Sequence, residues 1–445
     1  MSKLLDIKHQ IHSLIKEYHD EAFKQQTFIP GESAVPVSGK VFDHKELSYI
    51  TDSALDAWFT TGKFNAEFEK KLAKYINVKS VLTVNSGSSA NLVAFSALTA
   101  KELGDEAIKP GDEVITVAAS FPTTVNPILQ YGAIPVFLDV TIPYYEIDIR
   151  HLEKALSPKT KAVVIAHTMG NVFNLDVITA FCEKHDLWLM EDCCDALGAT
   201  YNGQHVGTFG DIATLSFYPA HHITMGEGGF VACNDMETER ILRSFRDWGR
   251  GCYCVGKQNQ LECGMCTQRF NNWLPALPDD VFDHKYVYEE IGYNLKPIEM
   301  QAAMAFVQMQ KLEEIGQIRR KNHELIVDIF KQYEKYFYLP KATKDSDPDW
   351  FAVALTVKDG AGFSRADFCQ YLESNKIQTR PYFAGNIMLQ PAYKGIMDAE
   401  QVIKDFPVAR KVTTDTFFLG CSPVISEEQI VYIKTIVDKF FKTIK

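Results

Sequence analysis

The residues best suited to chemistry lie at three places along the chain. Ser216-Phe-Tyr-Pro-Ala-His-His-Ile-Thr-Met-Gly-Glu-Gly-Gly229 places His221 five residues after a serine. An imidazole takes or gives a proton near neutral pH, although a lone histidine is more often a satisfied structural residue. Asn85-Ser-Gly-Ser-Ser-Ala-Asn91 joins an apolar run to a helix-like stretch. Small residues there let the backbone approach an anion, and a helix N-terminus offers free N–H groups, although the same pattern also makes an ordinary turn. Glu191-Asp-Cys-Cys-Asp195 follows the apolar run Leu187–Met190. An acidic residue in that place caps the next helix or pairs with a protonated pyridine nitrogen, keeping such a ring an electron sink.

The chain has ten cysteines. Cys182, Cys233, Cys369 and Cys421 are scattered and read as buried thiols. Cys252, Cys254, Cys263 and Cys266 fall in one short window. Four thiolates hold zinc as a structural loop staple, or an iron–sulfur centre.

The elements that must position these residues follow from periodicity. Short apolar runs, several rich in Val and Ile, occur at Val81–Val84, Glu113–Ala118, Pro135–Val140, Ala162–Ala166, Leu187–Met190, Ile212–Phe217 and Gly229–Cys233. They are too short for helices and read as strands. Thr123–Tyr131, His151–Leu156 and Val177–Lys184 read as intervening helices. The alternation predicts an α/β domain with a mostly parallel sheet. Ligands of such sheets bind at the carboxyl ends of strands, so Asn85–Asn91, Ser120–Phe121, Asp192–Asp195 and Ser216–His221 are expected to converge on one face. Residues 250–285 are rich in Cys, Gly, Asn and Pro and read as a long loop of the functional kind. Helical periodicity resumes near Ile298 and runs to about Phe337. The expected division is an N-terminal segment and large domain over 1–310 and a smaller C-terminal α/β domain over 311–445.

Composition narrows the function classes. With 445 residues, 46% hydrophobic and 23% charged, the chain has the makeup of a large globular protein. A net charge of -11 argues against nucleic acid as a partner. No apolar run approaches the ~18 residues of a membrane span. The amphipathic N-terminus MSKLLDIKHQIHSLIKEYHDEAF lacks the apolar centre and cleavage site of a signal peptide. A cytoplasmic protein without a disulfide framework is expected.

The order of Ser-Gly-Ser-Ser, Ser120-Phe121, Glu-Asp-x-x-Asp and Ser-Phe-x-Pro-x-His…Gly-Glu-Gly-Gly, followed by Gly292-Tyr-Asn-Leu-Lys-Pro-Ile-Glu-Met-Gln-Ala-Ala303, resembles the sugar aminotransferase family of fold-type I pyridoxal phosphate enzymes. The resemblance covers most of the chain. It implies that Ser88, Ser89 and Ser216 hold the cofactor phosphate, that Phe121 stacks on the pyridine ring and that Asp192 pairs with the ring nitrogen. It also implies a homodimer in which Asn294 reaches the neighbouring subunit's cofactor.

The aminotransferases carry lysine where this chain has His221. Imidazole cannot condense with the cofactor aldehyde as a lysine amine does, but it can act as a general base. Asp195 and Tyr218 depart from the aminotransferase pattern as well. Together with His221 they resemble the dehydratase branch of the family that acts on CDP-4-keto-6-deoxyhexoses, as do Arg246–Arg250, Asp283–Tyr286 and Arg380–Gln390. That resemblance implies pyridoxamine phosphate as the working cofactor, His221, Asp195 and Tyr218 as catalytic residues, and removal of the C3 hydroxyl in 3,6-dideoxysugar biosynthesis for surface polysaccharide. Arg380 becomes a candidate substrate contact.

The same branch implies a [2Fe–2S] cluster fed by a flavin-containing iron–sulfur reductase. Its ligand spacing begins with Cys, 57 residues and Cys-x-Cys, and 57 residues separate Cys194 from Cys252 here, with Cys254 next. The fourth position departs from the branch: eight residues separate Cys254 from Cys263, with Cys266 close behind. Cys263 is the favoured fourth ligand. Three rival readings stand beside this one: a cluster-free dehydratase that recycles its cofactor with glutamate, an ordinary sugar aminotransferase, and a catalytically dead binding protein with a zinc-stapled loop.

Overall fold

The computed structural model describes residues 2–24, 27–39, 41–251 and 269–444. Its centre is a seven-stranded sheet of β1 (Ser80–Val84), β2 (Glu113–Val117), β3 (Ile134–Leu138), β4 (Thr160–Ala166), β5 (Trp188–Asp192), β6 (Ile212–Ser216) and β7 (Gly229–Cys233), in the order β1-β7-β6-β5-β4-β2-β3. Strands β2, β3, β4, β5 and β6 run parallel, and β7 alone is antiparallel to both its neighbours. The direct return from β6 through residues 217–228 contains no crossover helix, which is what an antiparallel pairing requires. His221 sits in that return.

Alternation along each strand builds the two faces. Val163 and Ile165 of β4 join one apolar cluster with Val81, Ile115, Leu189 and Leu215. Ala162 and Val164 join the opposite one with Leu82, Val84, Met190 and Val231. Both faces are therefore covered, so these strands are nearly continuous apolar runs.

A second, antiparallel sheet is formed by β8 (Phe337–Tyr338), β9 (Ala352–Val357), β10 (Arg380–Pro381) and β11 (Thr416–Gly420), in the order β8-β9-β11-β10. Phe330, Phe337, Leu355, Phe368, Phe417, Ile433 and Phe440 form its separate core. Val35, from near the N-terminus, joins that core and bridges to Ile377.

Three expectations change in detail. The helical run expected from Ile298 to about Phe337 is two helices, Glu299–Gln308 and Leu312–Lys331, and Phe337 already belongs to β8. The break carries no Gly or Pro. The second helix spans both cores: Leu312 and Ile315 enter that of the large sheet, and Ile326 and Phe330 enter the second. His151–Leu156 is a 3-10 turn, Ile149–His151, that leads into one turn of α-helix, Leu152–Ala155. In the 250–285 loop, the described end pairs Phe270–Asn271 with Phe282–Asp283. Cys252, Cys254, Cys263 and Cys266 lie outside the described residues. No described helix is long and apolar enough to cross a membrane.

Candidate active site

The C-terminal ends of β1, β2, β5 and β6 lie along one edge of the sheet, and the expected residues meet there. Asp192 ends β5 and is 4% exposed. Its Oδ2 accepts hydrogen bonds from Asn91 Nδ2 at 2.9 Å and Thr124 Oγ1 at 2.7 Å, and its Oδ1 accepts from the Cys194 N–H at 3.1 Å. Asn91 and Thr124 belong to the helices that follow β1 and β2, so three strand ends fix one carboxylate. Phe121, the residue before the second of those helices, is 48% exposed and stands edge-on to Phe383 at 5.6 Å.

The helix Gly87–Ala97 points its N-terminus at Ser216. A Cβ on Gly87 would lie 2.4 Å from Ser216 Cβ, so only glycine allows this approach. Ser86 caps the helix by accepting from the Ser89 N–H at 3.0 Å, and the Ser89 hydroxyl donates to Asn85 Oδ1 at 2.6 Å. The N–H groups of Gly87 and Ser88 are left without a protein acceptor among the described residues. Together with the Ser216 hydroxyl they form a cradle suited to an anion. The carboxylate, the exposed aromatic ring and the cradle have the donor chemistry that pyridoxal phosphate requires: partners for a ring N–H, a ring face and a phosphate.

Asp195 and His221 form the second half of the site. Asp195 accepts one backbone hydrogen bond, from the Met169 N–H at 3.0 Å, and burial pushes its carboxyl up to about 7. His221 Nδ1 lies 3.6 Å from Asp195 Oδ1 and has no hydrogen-bond partner among the described residues. Burial, with help from His222 and the positive charge of Arg319, holds the imidazole down at about 3. His221 is thus a neutral imidazole beside a carboxyl raised to about 7. Tyr218 is exposed and meets the His221 ring edge-on at 6.5 Å. The second sheet supplies a wall: Phe351 lies 5.4 Å from the His221 ring and 5.9 Å from Phe383.

The remaining candidates stand further out. Asn294 is exposed, and its Oδ1 accepts from Lys296 Nζ at 2.8 Å. Arg380 is exposed and donates to the Thr379 carbonyl at 2.7 Å, with no hydrogen bond or ion pair to the Asp192 cluster among the described residues. Cys194 lies beside Asp192, and burial and that carboxylate push its thiol well above the usual range. Sequence reasoning assigned no role to Asn91, Thr124, Phe351, Phe383 or Arg319. The first two left a signal: a polar side chain one turn into a helix that follows a strand, placed to face inward.

Residues 41–438 match the model of the DegT/DnrJ/EryC1/StrS aminotransferase family. The chain belongs to this family. Lipopolysaccharide biosynthesis protein RfbH of Salmonella typhimurium is 47% identical to this family member, covering 98% of both chains. The dTDP-4-dehydro-2,6-dideoxy-D-glucose 3-dehydratase of Saccharopolyspora spinosa is 40% identical over 98% of this chain and 92% of its own. Among solved structures, a histidine-to-asparagine mutant of GDP-4-keto-6-deoxymannose-3-dehydratase with bound GDP-perosamine superimposes with a TM-score of 0.77 at 30% identity, covering 90% of this chain and 99% of that one. The fold is that of the fold-type I pyridoxal phosphate-dependent transferases.

Proposed function

We propose that this family member is a sugar-nucleotide 3-dehydratase that removes the C3 hydroxyl of a nucleotide-linked 4-keto-6-deoxyhexose with pyridoxamine phosphate. The observation that carries this reading is His221: a neutral, half-buried imidazole beside Asp195 at the place where the aminotransferases keep lysine. Bound at this site, the cofactor supplies a primary amine for the sugar ketone and an electron-withdrawing ring that spreads developing negative charge.

The protein's own residues do the rest. Ser216 with the Gly87 and Ser88 N–H groups would hold the phosphate, Asp192 would hold the ring nitrogen protonated, and Phe121 would cover the ring face. Asn294 would serve a second subunit of a homodimer. Ionised Asp195 would accept a hydrogen bond from His221 Nδ1–H and so favour the tautomer whose Nε2 lone pair would be free to take a proton at the cofactor's C4′. Protonated Asp195 would instead donate to Nδ1, leaving the ring proton on Nε2 and blocking the base. Tyr218, exposed beside the ring, would assist the leaving hydroxyl, and Arg380 would contact the nucleotide sugar. Two of the relatives above carry 3-dehydratase in their names, and RfbH carries lipopolysaccharide biosynthesis, which supports both the reaction class and the surface-polysaccharide setting. Their names carry dTDP and GDP, so CDP as the nucleotide rests on the sequence resemblance alone.

Net deoxygenation needs two electrons. We assign them to a [2Fe–2S] centre on Cys194, Cys252, Cys254 and Cys263, fed by a flavin and iron–sulfur reductase. This part of the proposal stands on cysteine spacing, since Cys194 alone of the four lies within the described residues. Visible charge-transfer absorbance with bound iron and sulfide in the anaerobically purified protein is expected. A colourless zinc protein overturns the electron-transfer part and leaves the glutamate-recycling dehydratase.

The base is tested separately. In deuterated buffer with a 4-keto-6-deoxy sugar nucleotide, His221→Asn should lower C4′ exchange by about 1,000-fold while cofactor binding persists. Persisting exchange removes His221 from its role.

A further inference from the structure

Arg319 lies 98 residues beyond His221, on the helix Leu312–Lys331, and is 1% exposed. Its Nη2 donates to the carbonyl oxygens of Ala220 at 3.1 Å and His221 at 2.8 Å, and its Nη1 donates to that of Phe351 at 3.2 Å. Three backbone carbonyls, two of them consecutive, thus receive one planar fork. No carboxylate pairs with it among the described residues. The nearby Asp349 is engaged by Arg320 at 3.2 Å and lies 3.5 Å from His222 Nε2. A buried guanidinium without a counter-ion is costly to keep. Its three carbonyl partners all belong to the turn that carries His221 or to the residue whose ring packs on that histidine.

We propose that Arg319 is the positioning residue of the base: its fork fixes the carbonyls of the His221 turn, and its charge stands permanently behind the imidazole. The proposal rests on the reading of His221 as the base. The charged and titratable groups facing that ring are few. Asp195 approaches Nδ1 at 3.6 Å from the turn after β5, and its ionised form favours a protonated ring. Arg319 opposes protonation from the helix side, as does His222 when charged. Tyr218 meets the ring edge, Phe351 adds an uncharged face, and the Arg320–Asp349 pair lies behind His222. Loss of the Arg319 charge therefore makes His221 easier to protonate. Retention of the charge without the fork leaves its protonation alone but frees the turn, because a lysine ammonium cannot span consecutive carbonyls in a fixed plane.

Two variants separate these contributions. In the cofactor-free protein with isotope-labelled histidine, the His221 ring should stay neutral down to about pH 5, identified by the signal missing in His221→Asn. In Arg319→Gln the midpoint of the ring's titration should move up from its wild-type position. In Arg319→Lys the midpoint should stay in place while kcat falls about 100-fold at nearly unchanged KM. A Lys variant with wild-type kcat, or a Gln variant whose ring titrates where the wild-type ring does, overturns the proposal. Should the Gln variant not fold, the Lys variant decides alone. If His221→Asn keeps its exchange, the base reading and this inference fall together. If that exchange is lost but both Arg319 variants behave as wild type, only the positioning role falls.

Discussion

Two carboxylates three residues apart, at the end of β5 and in the turn after it, are treated in opposite ways. Asp192 receives three hydrogen bonds, from two side chains and one backbone N–H. Asp195 receives one, and burial raises it to about 7. Each N–H or O–H aimed at a carboxylate favours its charged form, and burial alone favours the neutral one. The surroundings therefore differ in kind: Asp192 is held in place by its donors, and Asp195 is raised by burial beside His221. The paired tasks proposed for them, partnering a ring nitrogen and setting a base's tautomer, call for this division.

The contrast can be broken most sharply at Asp192. Asp192→Asn removes the charge its three donors were arranged to serve and should cut kcat/KM by about 100-fold, with weaker cofactor retention on gel filtration. An unchanged cofactor affinity and rate would equate the two aspartates. Asp195→Asn should act more mildly but change the shape of the pH profile. The wild-type rate should rise through about pH 7 as Asp195 ionises, because only the ionised form can accept a hydrogen bond from Nδ1–H and so leave the Nε2 lone pair free. The Asn variant should lose that limb and retain about a tenth of the maximal rate. A limb that survives in the variant belongs to another group. Thr124→Val, nearly isosteric, deletes one donor to Asp192 and should lower unfolding stability by about 1–2 kcal/mol in urea titrations.

Much of this was legible beforehand. The strands β1 to β7 were readable from apolar runs of the right length, and the convergence of Asn85–Asn91, Phe121, Asp192 and His221 followed from the rule that parallel-sheet sites gather at carboxyl ends. The split between Glu299–Gln308 and Leu312–Lys331 was not, because no Gly or Pro marks it and both segments keep a helical period. Within the site, Asp192 and Asp195 look alike in sequence. Nothing in Glu-Asp-Cys-Cys-Asp says which carboxyl meets Asn91 and Thr124 and which is left with a single amide.

The sequence by itself determined the chemistry on offer: a histidine five residues after Ser216, an acidic pair after a strand, and small residues where a helix begins after another. These follow from residue type and local order, which a linear reading captures. Tertiary structure alone decided how each group is tuned. Burial, donor count and the approach of Arg319 from the helix Leu312–Lys331 shift the carboxyl of Asp195 and the imidazole of His221 from their ordinary values. Those quantities depend on distances between residues far apart in the chain, and the sequence does not carry them.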